Sequence, residues 1–253
     1  AVVQLGGHPV YISADEVGID HRESAEDVTR TLACYHRAIC ARVFEHHLLE
    51  RMAALDVIPI VNLLSDSGHP LQALADVLTI EAERGPVAGQ NIIYVGDANN
   101  VARSLILAVG ALGGKVTVAA PPDRRFSEID TDRLAAAGAS FTYQDRPEVL
   151  ADGDVIYTDT WVSMGQEGER DQLLRTFEGY QVDDAMMARN PDAIFLHCLP
   201  AHRNEEATDA VLDGGQSRIW AQASNRLPAV RAVLEWLLEV NGPAGSSVGR
   251  GSS

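Results

Sequence analysis

The sequence runs to 253 residues, 46% hydrophobic and 22% charged, a globular composition long enough for one large or two modest domains. Its formal net charge of −16, with basic residues scattered rather than gathered in a run, excludes an extended nucleic-acid or anionic-membrane footprint, so any phosphate site must be local. No apolar run nears the roughly 20 residues of a membrane helix, and residues 1–7 lack the basic start and apolar stretch of an export signal. Cys34, Cys40 and Cys198 fall at no metal-ligand spacing, and their odd number argues against a disulfide framework and for a reducing cytoplasm.

Residues 1–7 read as the last turn of a helix stopped by glycine, ahead of a strand over 9–13; a helix without a beginning implies a missing beginning. Apolar runs over 38–43, 58–61, 91–95, 115–119, 155–158 and 194–196 then read as strands buried on both faces. Helical patterns lie between them, from Ser24 to about Tyr35, from Pro70 to about Glu83 and from Asn100 to about Leu112. The alternation predicts an α/β protein of two domains, each a parallel sheet flanked by helices. Arg84-Gly85-Pro86 punctuates the pattern and the strands restart at Asn91, which divides the chain into domains over 1–85 and 86–225. Helical spacing of Leu227, Val230, Val233, Leu234, Leu237 and Leu238 predicts a helix over 226–241 that packs back on the first domain, and 242–253 is a Gly/Ser-rich, flexible tail.

Four turns carry candidate chemistry. In Asp66-Ser67-Gly68-His69-Pro70-Leu71-Gln72, Pro70 suits the first turn of a helix, so His69 sits at its mouth and Gln72 beside it as hydrogen-bond donors. The positive helix end there favours an anion or a polarised carbonyl oxygen, although taken alone the motif reads more readily as a His-Pro cap with a solvated Gln72. Gly96-Asp97-Ala98-Asn99-Asn100 runs from a strand into a helix, where open α/β sheets bind ligands, but lacks the glycine spacing of a dinucleotide site. Its two amides suit a carboxylate; each serves equally well as a helix cap.

After the next strand, Asp159 is placed to pair with an ammonium group, with Ser163 and the Met164 backbone offering further polar contacts; the plainer reading has Asp159 capping a loop and Met164 filling the core. In His197-Cys198-Leu199-Pro200-Ala201-His202, neighbours in an extended chain face opposite ways, so His197 is a poor base for Cys198 and a covalent thiol route is unsupported. Cys198 reads as a polar contact or a packing residue. Arg42, ending a strand, and Arg226, starting the last helix, suit a phosphate or a developing oxyanion, the alternative being solvated or ion-paired side chains.

Taken in order, Ala41-Arg42-Val43-Phe44, His69-Pro70-Leu71-Gln72, Gly96 through Asn100, Asp159 through Gly165, His197 through Pro200 and Asn225-Arg226 resemble the ornithine carbamoyltransferase family over most of residues 1–240. Asp159-Thr160-Trp161-Val162-Ser163-Met164-Gly165 is the most specific piece, being similar to that family's ornithine loop rather than to its aspartate relatives. The resemblance implies that Arg42 meets the phosphate of carbamoyl phosphate while His69 and Gln72 meet its carbamoyl oxygen. Asn100, Asp159, Ser163 and Met164 would hold the α-groups of L-ornithine. Cys198 and the Leu199 carbonyl would lie near the δ-amine, with Arg226 beside the carbamoyl group. The implied reaction gives citrulline and phosphate in arginine biosynthesis, with no cofactor or metal, in a cytoplasmic homotrimer. An amine other than ornithine's is disfavoured by Asp159 with Ser163-Met164-Gly165.

The family's Ser-Thr-Arg-Thr-Arg segment, carried at a helix N-terminus just before the region where this sequence starts, occurs nowhere in residues 1–253. Charge-assisted hydrogen bonds of the kind it makes are worth roughly 1.5–3 kcal/mol each. The expectation is therefore either a fragment of a working transferase or a short paralogue that binds an ornithine-like amino acid without transfer. The loop over 14–22 also departs from the family pattern, and His21 is given no role.

Overall fold

The structure, a computed structural model, describes residues 1–147, 150–162 and 167–240. The described residues form two compact units by packing: one within 1–41, 47–61 and 230–240, the other within 42–46 and 62–229.

The larger unit is built on a five-stranded parallel sheet in the order β5-β4-β3-β6-β7, with β3 (Asn91–Val95), β4 (Lys115–Ala119), β5 (Thr142–Tyr143), β6 (Val155–Thr158) and β7 (Ile194–His197). The period-2 geometry of a strand sends alternate apolar side chains to opposite faces. Ile92, Tyr94, Val116, Val118, Tyr157 and Leu196 join one core with Ile80, Leu105, Ile106 and Val109. Their neighbours Ile93, Val95, Ile156 and Phe195 join a second core with Leu173, Phe177, Met186 and Val211. Each fully buried aliphatic or aromatic side chain contributes about 1.5–3 kcal/mol, which is why these runs form strands despite alternating with nothing polar.

From β3 the chain leaves through α5 (Asn100–Ala111) to β4 on one side, whereas β6 leads to β7 on the other. The carboxyl ends of β3 and β6, paired through Val95 and Thr158, thus flank the crevice where the order reverses. Helix α4 (Pro70–Arg84) belongs to this unit by packing, its Val77 and Ile80 lying in the first core, although the Arg84-Gly85-Pro86 break falls after it. Four short helices complete it: α6 (Glu128–Ala136), α7 (Arg170–Thr176), α8 (Asp184–Arg189) and α9 (Asp209–Leu212). Ser127, Asp183 and Thr208 cap α6, α8 and α9 by accepting the backbone N–H three residues on. The last helix, α10 (Ile219–Val240), starts seven residues before the expected Arg226 and carries Pro228 inside it. Proline there removes the bond to the Ser224 carbonyl, which belongs to an exposed residue that water can serve.

In the smaller unit, residues 3–5 form a single 3-10 turn closed by Gly6 at φ 78°, a left-handed position that glycine occupies without a Cβ penalty. The strand expected over 9–13 does not form: no pairing partner for it exists among the described residues, and Tyr11 is 89% exposed. A one-turn helix, α1 (Ala14–Val17), leads to α2 (Ala25–Ala33), capped by Ser24, whose Oγ accepts from the Asp27 N–H at 3.1 Å. Arg51 of α3 (His46–Ala53) bonds Asp20 and Glu26 at 2.6 Å each. Strands β1 (Ile39–Arg42) and β2 (Ile60–Leu64) pair as a two-stranded sheet.

Candidate active site

At the β3–β6 crevice the loop after β6 presents Asp159, 7% exposed. Its Oδ2 accepts from Asn99 Nδ2 at 2.8 Å, and its Oδ1 from the Thr160 N–H at 2.8 Å and the Cys198 thiol at 2.7 Å. Asn99 is at the same time the N-cap of α5: its Oδ1 accepts from the N–H groups of Val101 and Ala102 at 2.9 and 3.1 Å, and from the Tyr94 hydroxyl at 3.3 Å. Burial, with the adjacent Asp159 charge, pushes the Cys198 thiol well above its ordinary range, so the sulfur stays protonated and donates. Asp97 shares this negative surround; burial raises its carboxyl to about 6, opposed by Arg124 and aided by Asp159.

The two adjacent amides have separate tasks. Asn100 Nδ2 donates to the Ser65 carbonyl at 2.7 Å, tying the start of α5 to the turn before α4, while Asn99 reaches Asp159. That turn is further held by Ser104, which accepts from the His69 N–H at 2.8 Å and donates to the Asn100 carbonyl at 2.9 Å. Residue type left Asn99 and Asn100 equal, and only the family resemblance implied a ligand role for Asn100; cap geometry, which decides between neighbours, exists only once the helix has formed.

A second polar cluster lies at the start of α4. His69 is 6% exposed and its Nδ1 is buried without a hydrogen-bond partner among the described residues. Burial, then the charges of Arg226 and Arg42, lower it to about 4, so near neutrality the imidazole is uncharged. Arg226 donates to Gln72 Oε1 at 2.8 Å, and Gln72 Nε2 donates to Asp76 Oδ1 at 2.8 Å. Gln72 therefore turns its carbonyl, not its amide N–H, toward Arg226. Asp76 is fully buried and also accepts from Gln222 Nε2 at 2.6 Å and the Tyr157 hydroxyl at 3.1 Å; burial raises its carboxyl to about 7. Arg42 ends β1, exposed, and its charge reaches His69.

The loop after β7 is fixed by a buried pair. His197 Nδ1 accepts from the Leu199 N–H at 2.9 Å, so its Nε2 carries the proton given to Glu206 at 3.0 Å. Glu206 also accepts the His202 N–H at 2.6 Å, and His202 Nδ1 meets the Thr160 hydroxyl at 2.8 Å, linking this loop to that of Asp159. Leu199 sits at φ 57°. Ser163 and Met164 lie outside the described residues.

Among the described residues, two groups of side chains bring possible metal-ligand atoms within 4.8 Å of one another, Asp159 with His197 and Cys198, and His202 with Glu205 and Glu206. In the first, the thiol keeps its proton and both His197 nitrogens are engaged; in the second, Arg170 already supplies a positive charge to Glu205. Neither donor set fits a metal well.

Residues 88–237 match the family model "Aspartate/ornithine carbamoyltransferase, Asp/Orn binding domain", and residues 1–82 match that family's carbamoyl-P binding domain. The chain belongs to the aspartate/ornithine carbamoyltransferase family. Among its relatives, the anabolic ornithine carbamoyltransferase of Pyrococcus furiosus is 44% identical over 240 residues, covering 92% of this chain and 76% of that protein. The ornithine carbamoyltransferase of Thermus thermophilus is 45% identical over 240 residues, covering 94% and 78%. Solved structures from the same two organisms superpose with TM-scores of 0.86 and 0.84 at 43% and 39% identity, covering 92% and 94% of this chain and 76% and 79% of theirs. The α/β architecture is thus the carbamoyltransferase family's own.

Proposed function

We propose that the chain is an ornithine carbamoyltransferase, which moves the carbamoyl group of carbamoyl phosphate to the δ-amine of L-ornithine and forms L-citrulline and phosphate in arginine biosynthesis. The observation that carries this reading within the family is Asp159: a buried carboxylate at the strand-order switch, held by an amide, a backbone N–H and a protonated thiol, calls for a cationic ligand.

In this reading Asp159 takes the ornithine α-ammonium, with Asn100, Ser163 and the Met164 backbone around the α-groups. Cys198 and the Leu199 carbonyl border the δ-amine. Arg42 takes the phosphate, neutral His69 donates to the carbamoyl oxygen, and Arg226 stands beside the reacting carbon. Gln72, with its amide nitrogen on Asp76 and its carbonyl toward Arg226, offers that carbonyl to the carbamoyl –NH2.

The neutral δ-nitrogen attacks the carbamoyl carbon, charge gathers on the carbamoyl oxygen, and the bond to the phosphate oxygen breaks as the nitrogen sheds a proton. No covalent enzyme intermediate is needed, so orientation and electrostatic stabilisation supply the acceleration. A poorly hydrated pocket favours the free amine over the ammonium. The enzyme works in the cytoplasm as a homotrimer.

The alternative reading is that ornithine or a similar amino acid binds without carbamoyl transfer. Incubating the purified chain with carbamoyl phosphate and ornithine, following citrulline, and titrating ornithine by calorimetry decides between them. Turnover supports the transferase; binding alone supports the second reading; neither overturns both.

A further inference from the structure

Asp76 lies in the interior of the larger unit and is absent from every role assigned above, yet as many hydrogen bonds converge on its carboxyl as on that of Asp159. Asp76 is 0% exposed, and its two oxygens accept three hydrogen bonds from three separate elements: Gln72 of α4, Gln222 of α10 and Tyr157 of β6. All three partners are neutral donors. A sealed carboxylate of that kind costs more to bury than an apolar side chain of similar size, so packing alone gives no reason for it.

We propose that Asp76 is a positioning residue for carbamoyl transfer, locking the side-chain amides of Gln72 and Gln222 so that one aims Arg226 at the carbamoyl end of the site and the other fixes the strand that presents Cys198 at the amine end. The proposal rests on the transferase reading for its catalytic half.

An amide side chain has two faces of nearly equal shape, and only its partners choose between them. Asp76 Oδ1 demands N–H from Gln72, at 2.8 Å, which turns Gln72 Oε1 to Arg226, also at 2.8 Å. The same oxygen demands N–H from Gln222, at 2.6 Å, which turns Gln222 Oε1 to the His197 N–H at 2.9 Å, one residue before Cys198. Tyr157, donating to Oδ2, closes the remaining side. Arg226 thus receives its acceptor through Gln72 rather than from a carboxylate in direct contact, and its guanidinium keeps other N–H groups for substrate. Asp76 touches neither substrate position and acts on both.

Asp76→Leu keeps the volume but removes both acceptor oxygens, so the Gln72 and Gln222 amides lose the bond that orients them. In the unmodified chain, amide-resolved NMR should show the Gln72 side-chain protons protected from solvent exchange; in Asp76→Leu they should exchange at least roughly tenfold faster. Fast exchange in the unmodified chain overturns the proposal without any variant, and so does unchanged protection in a folded Asp76→Leu. In steady state, kcat for citrulline should drop roughly 30- to 100-fold, the loss of one or two charge-assisted bonds, while the KM for ornithine stays within about threefold. Altered exchange with unchanged kcat overturns the catalytic half. A chain that makes no citrulline overturns the transferase reading, and the exchange arm still decides whether Asp76 sets the amides.

Discussion

Two aspartates stand within the same unit, and their surroundings differ in one respect that separates scaffold from site. Asp76 is closed off completely and its three partners are two amides and a phenol, each of which passes the constraint on to something else. Asp159 keeps 7% of its surface and is held by a thiol, an amide and its neighbour's backbone N–H. On the proposed reading the sealed carboxylate serves geometry, and Asp159, which keeps a little exposure at the strand-order switch, takes the cation.

The sharpest way to break this contrast is Asp159→Ala. Ornithine affinity should fall by at least about a hundredfold, since an ionic partner in a partly buried site is worth several kcal/mol, while the circular dichroism spectrum is unchanged. Retained affinity would remove the main support for the assignment.

His69→Gln comes next. Removing a donor aimed at developing charge should lower kcat by about a hundredfold with ornithine binding intact, as stopped-time citrulline assays and calorimetry would show. The same substitution tests the acid side of stability. Folded His69 takes its proton at about 4, the unfolded chain near 6.5, so its contribution is complete above pH 6.5 and is lost as pH falls toward 4. The loss amounts to on the order of 3 kcal/mol, and urea titrations at pH 7 and pH 4.5 should show a shallower decline for the variant; an identical decline contradicts the buried, neutral imidazole.

A smaller effect is expected for Asn99→Asp. The cap to Val101 and Ala102 survives, so thermal stability should change by only about 1 kcal/mol, but a second carboxylate replaces the donor to Asp159. Ornithine binding should weaken by roughly tenfold and become more sensitive to pH. A variant that binds as well as the parent would show that Asn99 is a cap and nothing more.

What could be read from the sequence followed the physics of each element. Strands β3, β6 and β7 announced themselves because both faces are buried, and β4 through Val116 and Val118 on its one fully buried face. The two-residue β5 is too short to carry a pattern; α6, α8 and α9 are short helices whose caps at Ser127, Asp183 and Thr208 were the signal passed over, while α7 has no side-chain cap to betray it. The strand expected at 9–13 failed for want of a neighbour, which no local pattern reports. In the site, strand-end motifs named Asp159, His69 and Cys198, whereas Asp76 and Gln222 are 146 residues apart and meet only in the fold.

Leu199 carries a further consequence. A branched side chain at φ 57° is held about 1–2 kcal/mol above a relaxed backbone, and the buried His197 beside it accepts its N–H and keeps it there. Glycine at 199 would release that tension but strip away a side chain that packs against the second core, and the loosened turn would let the neighbouring thiol wander. Melting temperature and citrulline rate, read from one Leu199→Gly preparation, should therefore fall together: one tense residue secures both durability and aim.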